Sequence, residues 1–181
     1  MPNLIKNGSF EVPVVTNPRK WDYVQTVPFW KTSVTSPKPF ELWRNGVVIN
    51  NRPACYSADG QQNLEILSHG PPNPMTSATV WQTAKTRKGK AHELSFAYTP
   101  RAGQHSVMTL EVNGKVVCKF DVNGTTLPNF NWMHFSFEFI AAKATTKISF
   151  TDTRTPLGGA GTHIDGVSLK QVPHRPHLLK F

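Results

Sequence analysis

THIDGVSL, residues Thr162–Leu169, is the last β-strand that the sequence predicts, and Asp165 interrupts its apolar pattern. The opposite end of the chain carries NGSFE, residues Asn7–Glu11, in which a glutamate directly follows a phenylalanine. If the first and last strands of one domain pair, Glu11 and Asp165 come together, and two neighbouring carboxylates need a cation or a proton between them. These two stretches therefore predict a β-sandwich that is closed by its chain ends, with a cation at the seam.

The composition indicates one loop-rich β domain. The chain has 181 residues, of which 38% are apolar and 17% charged, with 15 prolines and 12 glycines. No segment keeps a helical period over about 11 residues, whereas roughly ten short apolar runs alternate with turn signals such as Asn113-Gly114. We therefore predict an all-β antiparallel sandwich or barrel over residues 1–171. Residues 172–181 are predicted to be a linker or flexible tail.

Several positions have a predicted place in this domain. Residues 3–12 are expected to form a short first strand, with Leu4 and Phe10 in the core. Trp30 and Trp132 are expected in the core as well. The sequence does not decide whether Trp21 and Trp43 are buried or exposed.

Charge and cysteine content leave the partner and the compartment open. Twenty basic and 11 acidic residues give a net charge of +9, which permits nucleic acid, an anionic glycan or a membrane surface as partner. The dense basic cluster at 85–90 is interpreted as a solvated loop, with an anion-binding patch as the alternative. Cys55 and Cys118 would form a disulfide in an exported protein, or remain two thiols. No apolar run approaches the roughly 20 residues of a membrane helix and no signal peptide is visible, so we expect no membrane insertion.

The sequence lacks the usual catalytic motifs. It has no Gly-x-Ser-x-Gly elbow, no Cys-x-x-Cys pair and no phosphate-binding glycine loop between a strand and a helix. A glycosidase needs two carboxylates across a cleft, one of them with a raised pKa. Glutamates such as Glu41 and Glu65 lie on predicted strands, but any β protein with this many acids offers such pairs. A non-catalytic protein is therefore favoured, and a glycan-processing enzyme remains an alternative.

Trp81 is the candidate for an exposed aromatic platform. On its strand Val80 and Gln82 share one face, which leaves Trp81 on the other. A flat indole stacks on the C–H faces of sugar rings, and neighbouring amide and guanidinium groups hydrogen-bond the hydroxyls. Core burial of Trp81 is the competing interpretation. Stacking beside basic residues would also suit nucleic acid, which is the less favoured ligand.

Several blocks in the same order resemble galactose-binding-like jelly-roll domains, a group that includes carbohydrate-binding modules of families four, nine and twenty-two and cell-wall-associated domains of plant and bacterial surface proteins. The blocks are NLIKNGSFE at Asn3–Glu11, FELW at Phe40–Trp43, ADGQQNLEI at Ala58–Ile66, VWQT at Val80–Thr83, LSFAYTPR at Leu94–Arg101, LGG at Leu157–Gly159 and IDGVSL at Ile164–Leu169. Together they cover about residues 3–170, and they are more specific for the fold than for the ligand.

The resemblance implies two sites. Such domains frequently hold a structural calcium where the N-terminal turn meets the terminal aspartate strand, so it implies Glu11 and Asp165 as side-chain ligands, with backbone carbonyls from Ser9 or Asn7. In the competing interpretation Asp165 caps a turn and Glu11 pairs with a basic residue. Family ligand sites lie on the concave sheet or in edge loops, and the matching candidates are Trp81, Gln82, Tyr98, Arg101 and His134, with Glu41 and Trp43 at the rim.

The sequence therefore predicts an extracellular or cell-surface, non-catalytic carbohydrate-binding domain. Its ligand would be a poly- or oligosaccharide, neutral or acidic, that stacks on Trp81 and is hydrogen-bonded by residues such as Arg101 and Gln82. A surface or adhesion module that binds a protein is the second hypothesis, and an enzyme acting on glycans is the third.

Overall fold

A computed structural model describes residues 1–49, 52–53, 55–66, 77–154, 160–173, 179 and 181. This part of the chain contains thirteen strands and no helix, which confirms the predicted all-β class. None of its elements could cross a membrane as an apolar helix. The strands are β1 (Trp21–Val24), β2 (Lys31–Thr32), β3 (Phe40–Arg44), β4 (Val48–Ile49), β5 (Arg52–Pro53), β6 (Gln62–Ile66), β7 (Thr79–Lys85), β8 (Ala91–Pro100), β9 (His105–Val112), β10 (Lys115–Asn123), β11 (Met133–Ile140), β12 (Thr145–Asp152) and β13 (Thr162–Gln171).

Two antiparallel sheets pack face to face as a sandwich. The six-stranded sheet has the order β1-β3-β6-β13-β8-β11, and the five-stranded sheet has the order β10-β9-β12-β7-β2. The strands β4 and β5 form a small separate pair. The last strand, β13, is central in the six-stranded sheet, between β6 and β8.

Alternation along the strands directs one set of side chains between the sheets. In β8 Leu94, Phe96 and Tyr98 share the inner face, and Phe96 meets Phe150 of the other sheet at a ring-centroid distance of 4.9 Å. Trp30 packs in the same core, 5.1 Å from the ring of Phe10, as the sequence predicts. Every second residue of the six-stranded sheet therefore lies on the face of that sheet that points away from the core.

The first segment of the chain is not the strand that the sequence predicts. Residues 3–12 form bends and turns, because Asn7 and Phe10 adopt positive φ angles of 49° and 56°, which a strand does not contain. The segment still lies against β13, with a hydrogen bond from the N–H of Leu4 to the carbonyl of Leu169. Phe10 is fully buried and Leu4 packs on the core, as expected.

A glycine permits this close approach of the two chain ends. The carbonyl of Gly8 accepts a hydrogen bond of 2.9 Å from the N–H of Val167. A Cβ atom at Gly8 would lie 2.1 Å from the carbonyl oxygen of Val167, a distance that no side chain tolerates. The predicted meeting of the first segment with the last strand is therefore confirmed, although only one partner is a strand.

The last residue of the chain is held against the sandwich, whereas residues 172–181 are predicted to be a linker or flexible tail. Phe181 exchanges main-chain hydrogen bonds with Ile140 and Ala142 beside β11, and its ring contacts Phe137. Residues 174–178, and the glycine-rich block Leu157–Gly159, lie outside the described residues. Cys55 and Cys118 are two free thiols, Cys55 buried and Cys118 on β10 in the other sheet.

Candidate functional site

The register of the six-stranded sheet aligns five functional side chains across its outer face. Antiparallel pairing places Tyr23 opposite Glu41, Glu41 opposite Glu65, Glu65 opposite His163, and His163 opposite Thr99. These five residues, here called the polar row, come from β1, β3, β6, β13 and β8. All of them except Tyr23 are buried although they face away from the sandwich core. Buried ionisable groups outside a core are typical of a functional site.

Glu41 and Glu65 form a carboxyl pair at the centre of the polar row. Their strands place them directly opposite each other, Glu41 Oε1 accepts from Trp43 Nε1 at 2.9 Å, and Glu65 Oε1 accepts from the N–H of Gly161 at 2.6 Å. Burial raises the pKa of Glu65 well above its usual range, and the Glu41 carboxylate raises it further. Burial also raises the pKa of Glu41, against the opposing effect of the bond from Trp43. Both shifts favour the protonated form of the pair.

Arg101 and His163 complete the charge balance of this pair. The guanidinium of Arg101, at the end of β8, lies 3.8 Å from Glu65 Oε1 and 4.8 Å above the centroid of the Trp43 ring. Nδ1 of His163 bonds Asn63 Oδ1 at 2.9 Å, and its Nε2 lies 3.7 Å from Glu65 Oε1. Burial and the nearby Arg101 cation hold the pKa of His163 well below its usual range. The imidazole is therefore neutral, and Arg101 is the cation of the group.

Aromatic rings line the polar row along one side. Trp21 stacks on Trp43 with centroids 6.5 Å apart, and Trp43 contacts Phe130, whose ring lies 4.4 Å from His163. The sequence predicts Trp132 in the core, but its side chain is half-buried on the outer face. Its Nε1 donates a hydrogen bond there to the carbonyl of Tyr56. Tyr56 itself is 58% exposed.

A cavity of about 330 Å³ lies beside these rings on the same outer face. It is located where the register of β13 shifts against β8, between Asp165 and Ser168. Its polar lining comes from Asp59, Ser95, His134 and Ser136, and Ala58 and Ala97 add apolar surface. This volume is at the lower end of the roughly 300–1,000 Å³ of ligand pockets.

The structure brings only some of the predicted ligand residues to this face. Arg101 and His134 lie on it, Arg101 over Trp43 and His134 in the cavity wall. Glu41 and Trp43 are 3% and 1% exposed, so they are components of the buried row rather than of a rim. Tyr98 is not on this face, because it shares the inward side of β8 with Phe96 and packs on Phe120 at 4.6 Å.

Trp81 and Gln82 lie in the other sheet, on β7, so the expected common face with Arg101 and His134 is wrong. Gln82 is buried, and its amide accepts from the N–H of Lys6 and donates to the carbonyl of Lys6. It therefore fixes the first segment of the chain. Trp81 is half-buried, with Lys147 Nζ 4.4 Å from its ring centroid.

The carboxylates of the predicted cation site contact one loop. Glu11 Oε1 accepts hydrogen bonds from the N–H groups of Gln61 and Gln62 at 2.7 and 2.9 Å. Asp165 Oδ2 accepts from the N–H of Asp59 at 2.8 Å, and its Oδ1 from the N–H of Gly166. Loop 58–62 therefore connects the two ends of the chain, and we call this arrangement the clasp.

The clasp fits a calcium ion in part. Burial raises the pKa of Asp165 to about 8, partly offset by amide hydrogen bonds, so a cation beside this carboxylate would be stabilising. Calcium takes six to eight oxygens, however, and no three acidic, histidine or cysteine side chains cluster among the described residues. The carbonyl of Asn7 already accepts from Trp30 Nε1 at 3.0 Å, and Ser9 is half-buried in the same turn. Further carbonyl oxygens would have to complete the shell.

The polar row carries groups that can hydrogen-bond a ligand. Glycosidases keep their two carboxyl groups about 5 Å apart or farther, so that a sugar carbon or a water fits between them. Glu41 and Glu65 instead lie directly opposite each other on neighbouring strands. A carboxyl pair with a neighbouring guanidinium is suited to hydrogen-bond the hydroxyl groups of a ligand.

Sequence reasoning missed Tyr23, Glu65 and His163 as a group. Each follows or precedes apolar residues on a predicted strand, so each could have been assigned to the outer face by alternation alone. Their alignment in one row depends on the pairing of strands far apart in the chain, which alternation does not reveal.

No protein-family model matches the sequence, and no curated protein matches it. Among solved structures, the carbohydrate-binding module TmCBM61, in complex with β-1,4-galactotriose, is similar with a TM-score of 0.60 and 16% identity, over 95% of this chain and all of that one. The K3 adhesin domain of Lys-gingipain from Porphyromonas gingivalis has a TM-score of 0.55 and 9% identity, over 79% and 91% of the chains. The enzymatically active domain of bacteriophage CBA120 tailspike protein 4 has a TM-score of 0.54 and 14% identity, over 94% of this chain and 21% of that one.

At these identities the comparisons establish the fold. The chain has the antiparallel β-sandwich of carbohydrate-binding modules, which confirms the resemblance that the sequence blocks indicate.

Proposed function

We propose that the protein is a non-catalytic carbohydrate-binding module, and that its glycan occupies the outer face of the six-stranded sheet. The cavity beside His134 carries this proposal, because it combines the apolar surface of two alanines with carboxylate, hydroxyl and imidazole groups in one wall. Sugar rings have the same combination of C–H faces and hydroxyl groups, and they bind such walls by stacking and hydrogen bonding.

The surroundings of the cavity support the same ligand class. Ala58 lines the cavity two residues after the exposed ring of Tyr56, whose carbonyl holds Trp132. Tyr56 and Trp132 therefore extend the cavity with stacking surface, while Arg101 adds hydrogen-bond donors at the end of β8. The similar module TmCBM61 was solved with a β-1,4-linked galactose trimer, so β-1,4-galactan fragments are the first ligands to test.

The module would work outside the cell, as a glycan-targeting or adhesive unit. A calcium ion held by Glu11 and Asp165, with main-chain oxygens from the Asn7–Ser9 turn, would stabilise the clasp without contacting the glycan. Its chemistry would be charge neutralisation of two carboxylates and nothing more.

Trp132→Ala tests the proposed face directly. The ligand is β-1,4-galactotriose, or an oligosaccharide that the protein binds on a glycan array. We expect this substitution to weaken binding of that ligand by about 1–3 kcal/mol in isothermal titration calorimetry, because it removes a stacking ring next to the cavity. His134→Ala should reduce the affinity as well, since it removes a hydrogen-bonding group from the wall.

Trp81→Ala is the matched control, because it removes an equally large ring from the opposite sheet. Unchanged affinity in Trp81→Ala together with a loss in Trp132→Ala supports the proposal. If only Trp81→Ala loses affinity, or if no glycan binds the wild-type protein, the proposed face is wrong.

A further inference from the structure

The outer face of the five-stranded sheet concentrates positive charge around Trp81. The pairing of β7 with β2 and β12 places Lys31 opposite Trp81, and Lys147 opposite Thr83. Lys85 follows two residues later on β7, on the same outward side. The three lysine side chains are exposed, and Lys147 Nζ lies 4.4 Å from the centroid of the half-buried indole.

The loops at the end of β7 and before β12 extend this charge. The N–H of Thr86 bonds the carbonyl of Ala144, and the N–H of Ala141 bonds the carbonyl of Lys90, so the two loops lie side by side. With β7, β12 and Lys31 they form what we call the basic ribbon. Its cations are all exposed, and they are Lys31, Lys85, Arg87, Lys88, Lys90, Lys143 and Lys147.

Few acidic residues lie near the basic ribbon. The sequence has none between 77 and 92 or between 141 and 151, and Glu111 of β9, opposite Ser149, is an acidic residue that the pairing places on the same face. None of the seven cations forms an ion pair with a carboxylate in the described part of the chain. Exposed cations in excess over their counter-charges repel one another, so an anionic ligand would be stabilised by them.

We infer that the basic ribbon is a second binding surface, separate from the proposed glycan face, and that it binds an acidic polysaccharide bearing carboxylate or sulfate groups. The exposed hydroxyls of Thr83 and Thr145 lie among the lysines and suit the hydroxyl groups of such a polymer. A nucleic acid fits less well, because stacked bases need an open aromatic face and Lys147 Nζ covers the ring of Trp81. Six of the seven cations are lysines, which act as point charges, whereas nucleic-acid sites favour arginine.

The inference is tested with dextran sulfate and with neutral dextran of the same length. The wild-type protein should bind dextran sulfate and not dextran, and the affinity should fall steeply between about 50 and 200 mM salt. The triple variant Lys85→Gln, Arg87→Gln, Lys147→Gln should bind about tenfold more weakly or worse at low salt. Its slope of log affinity against log salt should be smaller by about two to three.

The control variant Arg19→Gln, Lys38→Gln, Lys170→Gln removes the same charge from exposed positions outside the five-stranded sheet. Equal losses in both triple variants would reduce the effect to net charge and overturn the inference. Tighter binding of a single-stranded oligodeoxythymidylate than of dextran sulfate at the same salt would overturn it in favour of nucleic acid. Failure of dextran sulfate to bind would also overturn it.

This test does not depend on the proposed glycan face. Binding of a neutral oligosaccharide to the cavity should be the same in the ribbon variant as in the wild type, and Trp132→Ala should leave dextran sulfate binding unchanged. The two proposals can therefore fail separately.

Discussion

At the scale of single residues, the buried pair Glu41 and Glu65 is the most consequential feature of the six-stranded sheet. Two buried carboxyl groups side by side cost stability when both are ionised, and Arg101 offsets only part of that cost. The sheet nevertheless places them opposite each other. Buried ionisable groups with raised pKa values occur both in functional sites and in structural networks.

Glu65→Gln should change the pH dependence of stability. The pKa of Glu65 in the folded protein lies well above its usual value of 4.5, so above that pH the folded state binds more protons than the unfolded state. The stability contribution of Glu65 therefore falls as the pH rises through the folded pKa. In Glu65→Gln this fall is absent, so its Tm should gain on the wild type as the pH increases from about 5 to 8.

His163 acts in the opposite direction in both proteins. Its pKa is lowered, so its contribution is lost as the pH falls below 6.5. Glu111→Gln, a half-exposed glutamate of β9, is the control. A constant Tm difference between Glu65→Gln and the wild type across this range would show that folding does not raise the pKa of Glu65.

The residue scale also shows where prediction from the sequence stops. Trp30 and Phe10 are correctly placed in the core, because large apolar side chains in a small β domain have few other positions. The family resemblance implies that Tyr98 contacts a ligand, whereas strand alternation puts Tyr98 on the same face as Leu94 and Phe96. The alternation correctly predicts that its side chain points into the core. Glu65 and His163 become a site only through pairing across strands 98 residues apart, which no local pattern contains.

At the scale of elements, the first segment of the chain is held by side chains instead of a ladder. Asn3 donates to the carbonyl of Val167 and accepts from the N–H of Leu169, and Gln82 makes two bonds to Lys6. These amides take the place of the strand pairing that the sequence predicts for residues 3–12. The β strands from β6 onward follow apolar alternation closely, whereas this segment follows the turn preferences of Asn and Gly.

Gln82→Ala should destabilise the protein by about 2 kcal/mol, because two hydrogen bonds to Lys6 are lost at about 1 kcal/mol each. Urea denaturation followed by tryptophan fluorescence measures this change. Thr83→Ala, the exposed neighbour on β7, should stay within about 0.5 kcal/mol of the wild type. Similar values for the two variants would mean that the first segment is not anchored through Gln82.

At the scale of the whole molecule, the clasp joins both ends of the chain to loop 58–62. Glu11 and Asp165 accept main-chain N–H groups from the two sides of this loop. The sequence predicts that these carboxylates lie together, from the pattern at the two chain ends. It does not predict that amide groups bind them, since loop 58–62 lies in the middle of the chain.

Chelation tests the calcium proposal. With calcium at about 100 times its Kd, removal by EGTA should cost roughly 2.7 kcal/mol and lower the Tm by about 5–10 °C in differential scanning calorimetry. Glu11→Gln keeps an oxygen for the amides of loop 58–62 but loses the charge, so its Tm should respond less to calcium. A wild-type Tm that is the same in EGTA and in excess calcium would contradict the calcium proposal. The carboxylates of the clasp would then be bound by main-chain amide groups alone.

The antiparallel docking of residues 3–8 along β13 has a mechanical consequence. Residues 3 and 172 lie at the same end of the sandwich, beside Ala91, whereas Arg101 follows the other end of β8, about 30 Å away. Tension applied between these two residues would peel the first segment from β13 one hydrogen bond at a time. The strained bonds would include those of Asn3, Leu4, Lys6 and Gly8, and the face that carries Arg101 would bear no load until the seam had opened.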